Sequence, residues 1–230
     1  MSAFFNEFLF GIYPYVCMAV FLLGSLVRFD REPYTWKSDS SEFLARGQLR
    51  WGSNLFHIGI LMLFFGHLVG LLTPAEVYHA LGLTTEGKQM MAMVTGGLAG
   101  ALCLVGLVLL VHRRLTVARI RATSTRMDLF ILLWILATLL LGLYSIHESY
   151  QHRDGGVMLL LAGWAQHIVT FRGGAADLLV GAPLIFKIHL FFGMTVFLLA
   201  PFSRLVHVWS GFASIAYLGR AYQVVRGRGR

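Results

Sequence analysis

Four histidines stand inside two apolar stretches of this chain, His57 and His67 in one and His189 and His207 in the other. A neutral imidazole is costly to bury in hydrocarbon unless its nitrogen lone pair is used, so ionisable residues at membrane depth are candidates for function. The chemistry that this pattern can do is axial ligation. Two helices that each carry two imidazoles at different depths supply four nitrogens as two stacked pairs, the donor set of two bis-histidine haems set one above the other. A lone histidine in a membrane helix commonly does no more than hydrogen-bond a neighbour. Four at matching depths call for a shared purpose.

Such histidines need membrane-crossing helices to hold them. The 230 residues are 57% hydrophobic with a mean hydropathy of +0.70, too little polar surface to clothe a soluble globule. About 20 apolar residues cross ~30 Å of hydrocarbon as a helix. We expect an all-α integral membrane bundle, one domain over 1–230, with five spans at about 8–27, 51–72, 90–111, 127–146 and 183–208. The first closes on Arg28, Asp30 and Arg31. Thr73-Pro74 stops the second, since proline cannot continue the backbone ladder. His112-Arg113-Arg114 ends the third. The fifth opens at Pro183, suited to a first helical turn, and Pro201 is expected to kink it. The apolar stretch 157–171 is too short for a sixth crossing and reads as an interfacial helix. The opening MSAFFNEFLFGIYPYV has no basic start and no small-residue cleavage site, so the first run reads as a retained span.

The net charge of +8 would suit a nucleic-acid surface, but its distribution gives it another meaning. Arg28, Arg31, Lys37, Arg46 and Arg50 follow the first span; Arg113, Arg114, Arg119, Arg121 and Arg126 join the third to the fourth; Arg204, Arg220, Arg226, Arg228 and Arg230 close the chain. The other side has only Lys88, Arg153, Arg172 and Lys187. Basic residues collect in cytoplasmic loops. The N-terminus is therefore expected outside and the C-terminus in the cytoplasm, in a bacterial-type cytoplasmic membrane, with lipid and not nucleic acid as the surrounding partner.

Orientation turns four positions into two pairs. The second span runs inward to outward and the fifth outward to inward, so His57 falls level with His207 and His67 with His189. At ~100° per residue, His189 and His207 share a helix face and His57 and His67 stand ~80° apart. The rise per residue, however, spaces the first two by ~15 Å and the last two by ~27 Å. Tilt and the Pro201 kink would have to absorb that difference.

Other features fit around this frame. Cys17 and Cys103 lie in apolar runs and form no CxxC or CxxCH motif, which excludes a disulfide framework, a zinc or iron–sulfur motif and covalent haem attachment. Gly96, Gly97, Ala99 and Gly100 make a small-residue patch suited to close helix packing. Gly59, Gly66, Gly70 and Gly193 could give a flat macrocycle room against its helices. Lys88 is a cation on the side poor in cations: it could snorkel, hold a propionate or donate to a quinone carbonyl. Arg113, Arg114 and Arg204 could meet propionates or lipid phosphates. His79, His112, His147, His152 and His167 fall at ends and loops, where solvated roles are expected. A histidine proton-relay transporter would show inverted repeats or carboxylates inside the spans, and neither is apparent.

The chain resembles the gamma-subunit family of respiratory nitrate reductases, membrane cytochromes b that anchor a molybdenum–iron–sulfur enzyme. The resemblance is carried by FLFGIYPYV, RFDREPYTW, SNLFHIGI with GHLVGLLTP, KQMMAM, RRLTVARIRATST, GWAQHIVTFRGG and PFSRLVHVWS, over nearly the whole chain. It implies two non-covalent haem b groups, a proximal one on His57 and His207 and a distal one on His67 and His189. It also implies a quinol pocket beside the distal haem, with Lys88, Gly66 and Gly70 around it. Quinol would be oxidised near the outer face. Its electrons would pass inward to an iron–sulfur subunit and a molybdenum catalytic subunit on the cytoplasmic side, so the chain would not itself reduce nitrate. A dihaem anchor of a hydrogenase or of a sulfur-metabolism complex is the alternative.

Overall fold

A computed structural model of the chain describes residues 2–32 and 46–208. Lys37 and the arginines from Arg220 onward, on which part of the expected orientation rests, lie outside the described residues. Among those residues the helices are α1 (Ala3–Arg31), α2 (Arg46–Leu72), α3 (Ala75–Ala80), α4 (Thr85–Thr116), α5 (Ala118–Thr123), α6 (Arg126–Gln151), α7 (Gly156–Val169), α8 (Ala175–Leu178) and α9 (Leu184–Leu199). α1, α2, α4, α6 and α9 with the turn that follows it are long and apolar enough to cross a membrane. The five expected spans thus stand in the expected order. Large apolar side chains such as Leu22, Phe65, Val69 and Leu98 are more than half exposed on them, as lipid-facing surfaces require.

α1 contains a π-helical turn at Phe8–Ile12. Pro14 offers no N–H to the Phe10 carbonyl four residues before it. The Trp164 indole donates to that carbonyl instead, at 2.8 Å. Trp164, Ala165 and Ile168 of α7 are buried with Phe10, Ala176 and Leu179 in one core. Gln166 of α7 also donates to the Leu71 carbonyl near the end of α2, at 3.0 Å. The helix expected to lie at the interface is therefore packed between the start of α1 and the end of α2, because one of its faces is apolar enough to be buried there.

α2 packs along α4, α4 along α6, α6 along α9 and α9 along α1. Within lipid, close approach of helices depends on small residues at the contact. A Cβ at Gly59 would lie 2.5 Å from the Cys103 backbone nitrogen, and one at Gly106 would run into the Phe56 backbone. The small-residue contact is therefore centred on Gly59 and Gly106, not on the expected patch. Of that patch, Ala99 does face Gly59 and Gly100 meets the Leu143 side chain of α6, but Gly96 has nothing within 4 Å and Gly97 only Ile146 at 3.6 Å.

The fifth span differs most from expectation. α9 ends at Leu199 and is followed by two 3-10 turns, Ala200–Phe202 and Arg204–Val206, on either side of an extended Ser203 (φ −126°, ψ −177°). Pro201 cannot donate to the Phe197 carbonyl, which takes the Ala200 N–H in a tighter turn. The expected kink is thus a complete break. Reckoning a helical rise from His189 to His207, and placing both on one face of a continuous helix, no longer applies. The mismatch in spacing disappears with it.

Candidate functional site

The four histidines meet in the pairs expected. The ring centroids of His57 and His207 are 6.2 Å apart with the planes at 72°; those of His67 and His189 are 6.1 Å apart at 43°. α2 and α9 are not neighbours in the packing series; His67 meets His189 of α9, and His57 meets His207 from the turn beyond it. An ion bound axially between two imidazoles, with metal–nitrogen bonds of roughly 2 Å, sets the ring centroids roughly 6 Å apart. Both pairs fit that span.

The hydrogen bonds fix which nitrogen would ligate. Nδ1 of His57 donates to the Ser53 carbonyl at 2.7 Å, and Nδ1 of His67 to the Leu63 carbonyl at 2.7 Å, each one turn back in α2. Nδ1 of His189 donates to the Thr138 carbonyl of α6 at 3.1 Å, and Nδ1 of His207 to the Arg204 carbonyl at 2.6 Å. A carbonyl can only accept, so each Nδ1 carries the proton and each Nε2 the lone pair. A backbone carbonyl on the far ring nitrogen is the usual support of a ligating histidine.

The donor count narrows what could be held. Among the described residues no three His, Cys, Asp or Glu side chains gather in one metal-binding group. An ion bound by protein alone takes three or four such ligands. Two imidazoles suit an iron whose other four positions are filled by a macrocycle. The glycines agree in part. A Cβ at Gly66, Gly70 or Gly193 would meet nothing within 4 Å, so those backbones leave room beside the histidines. Gly59 does not belong with them, since its space is filled by α4.

α6 supplies residues that the sequence did not single out. Trp134 stacks on Phe192 at 4.3 Å and donates through its indole to the Phe192 carbonyl at 3.1 Å. Thr138 gives His189 its carbonyl, and Gly142 lies beneath the same ring: a Cβ there would stand 2.8 Å from His189 Cε1. Trp134, Thr138 and Gly142 recur every four residues, one stripe of the helix. That spacing was the available signal. Replacing Gly142 by alanine should displace the His189 ring and weaken binding at the His67–His189 pair alone; equal effects on both pairs, or on neither, would contradict the contact.

Lys88 does not snorkel. It is buried, with Nζ 3.4 Å from the Thr73 carbonyl and 4.1 Å from the centre of the Tyr78 ring. A cation in the first turns of α4 faces the positive end of the helix dipole. A carbonyl just past the end of α2 and an aromatic face offset that cost. An ammonium group has three donors, and a long hydrogen bond to Thr73 leaves capacity for a further acceptor. Gly66 and Gly70 lie one turn apart on α2, beside His67 and at the same end as Thr73.

At the other end, Asp128 is a buried carboxylate in the first turn of α6, although no carboxylate was expected inside a span. Both its oxygens engage Arg204, through Nε and through Nη2 at 2.8 Å, and Arg114 Nη1 lies 3.4 Å away. Arg204 and Arg114 thus face a carboxylate of the protein itself.

Known proteins share this chain's pattern over almost its full length. The family model described as "Nitrate reductase gamma subunit" matches residues 6–228. The chain is 53% identical to the respiratory nitrate reductase 2 gamma chain of Escherichia coli (strain K12), covering 99% of this chain and 100% of that one. It is 52% identical to the respiratory nitrate reductase 1 gamma chain of the same strain, over 98% and 99%. Against the nitrate reductase gamma chain of Bacillus subtilis (strain 168) it is 38% identical, over 97% and 99%.

Proposed function

The chain belongs to the nitrate reductase gamma subunit family, a multi-pass protein of the bacterial cytoplasmic membrane, and from that premise we propose that it is the quinol-oxidising dihaem subunit of the complex. One observation carries the proposal: two imidazole pairs, each with ring centroids about 6 Å apart and each Nδ1 tied to a backbone carbonyl. Two b haems, held by His57 with His207 and by His67 with His189, would supply one-electron redox chemistry at two depths.

The residues themselves do the rest. The carbonyl partners fix the tautomer of each imidazole and aim its Nε2. Quinol binds beside the His67–His189 pair, against the open backbone at Gly66 and Gly70, and Lys88 donates to one of its oxygens. The side rich in Arg113, Arg114, Arg119 and Arg121 faces the cytoplasm and docks the iron–sulfur subunit, beyond which lies the molybdenum catalytic subunit.

Lys88→Ala should raise the quinol KM about tenfold, the loss of one charge-assisted hydrogen bond of ~1.5 kcal/mol, while both haems stay bound. A quinol KM unchanged within twofold would reject the role of Lys88. The proposal as a whole is tested by purifying the chain with whatever it binds and analysing metals and activity. Molybdenum and iron should copurify, with quinol-dependent nitrate reduction. Copurification of a nickel enzyme, or quinol oxidation without nitrate reduction, would contradict it.

A further inference from the structure

We infer that Asp128 and Arg28 are positioning residues for His207, holding the broken end of α9 so that its imidazole meets His57; the inference rests on the proposed ligation by that pair. His57, His67 and His189 stand within helices, whose ladders fix where their side chains begin. His207 begins a new helical turn after the break at Pro201 and an extended Ser203, so the ladder of α9 does not place it, and its Nδ1 takes its direction from the Arg204 carbonyl. Whatever holds Arg204 therefore aims the ring.

Two clamps from two other helices do this. From α1, Arg28 Nη1 donates to the Pro201 carbonyl at 2.7 Å and to the Ser203 carbonyl at 2.9 Å. These are carbonyls on either side of the break, where a regular helical ladder no longer takes them. From α6, Asp128 grips the Arg204 guanidinium with both oxygens, a geometry that fixes direction as well as distance. Asp128 cannot swing away. Its Oδ2 accepts the Thr125 N–H at 2.8 Å, its own N–H donates to Thr125 Oγ1 at 3.2 Å, and its side chain is 5% exposed. Within the turn, Ser203 Oγ accepts the Leu205 N–H at 3.2 Å. The His67–His189 pair touches none of these groups.

The inference is therefore selective for one haem, and that selectivity is what the experiment reads. Asp128→Asn and Arg28→Gln are made in the complete complex, and each haem is followed by its low-spin electron paramagnetic signal and its redox titration. Both variants should shift the signal and midpoint of the haem held by His57 and His207, with the other haem unmoved. Arg204→Lys, which keeps the charge but not the two-point grip, should give a smaller shift of the same haem. Wild-type signals and midpoints in both Asp128→Asn and Arg28→Gln would overturn the inference, and so would equal shifts of both haems. If Asp128→Asn does not accumulate in the membrane, Arg28→Gln decides by the same criterion. A wild-type complex lacking two bis-histidine signals would instead sink the ligation on which the inference stands.

Discussion

On the proposed ligation, replacing His67 by alanine should leave a chain with one haem in place of two and without quinol oxidation. The remaining haem should be the one on His57 and His207, because these imidazoles have their own carbonyl partners, Ser53 and Arg204, and share no hydrogen bond with the other pair. Removing one imidazole deletes half of the proposed two-ligand set. His189 then keeps its bond to Thr138 but has no imidazole opposite. The reciprocal change, His207→Ala, should remove the other haem and leave His67 with His189 loaded. Pyridine haemochrome content per chain and reduced-minus-oxidised spectra read both outcomes. Loss of both haems in either variant, or of neither, would contradict the pairing.

The second large effect concerns packing. Gly106→Val should abolish the loaded protein or strip the haem on His57 and His207, since a Cβ at position 106 would run into the backbone at Phe56, next to His57. No side-chain rearrangement relieves that clash, because the atoms in the way are backbone. α2 itself has to move away from α4. Overpacking a core costs ~1–3 kcal/mol where side chains can yield, and more is expected here. Gly96→Ala is the matched control on the same helix: with nothing within 4 Å of its Cβ, it should leave expression and haem content at wild-type levels. Membrane accumulation and haem content of the two variants compare them directly. A Gly106→Val chain as abundant and as haem-loaded as Gly96→Ala would refute the contact.

What could be read from residues alone divides along physical lines. The spans were legible because hydrocarbon thickness sets a length that composition must meet. The pairing of His57 with His207 and His67 with His189 was legible because antiparallel helices place residues at matching depths, whatever the details of their packing. Depth is a one-dimensional property, and sequence reports it well. Contacts between helices are not. Gly59 and Gly106 look no different in the sequence from Gly96 and Gly100, and only the relative rotation of α2 and α4 decides which pair touches. The role of Gly142 likewise depends on a histidine that lies on another helix.

The break after Leu199 is an intermediate case. Pro201 announced an interruption, but proline kinks some helices and ends others, according to whether the freed carbonyls find new donors. Here Arg28, distant in sequence, supplies them at Pro201 and Ser203. That is why the same-face argument for His189 and His207 fails although the rings of each pair stand together. Asp128 was overlooked for a similar reason. A carboxylate in the first turn of a helix is an ordinary cap, and only the return of the chain at Arg204 gives it a second task.

The claim on which everything else rests is that two imidazole pairs hold two haems. The most direct measurement is haem per chain in the purified complex, together with the axial ligation reported by its low-spin electron paramagnetic signals. The account predicts two b-type haems per chain, both bis-histidine and both reducible by quinol. A ratio of one or none, or a signal from any other axial ligand, would contradict it.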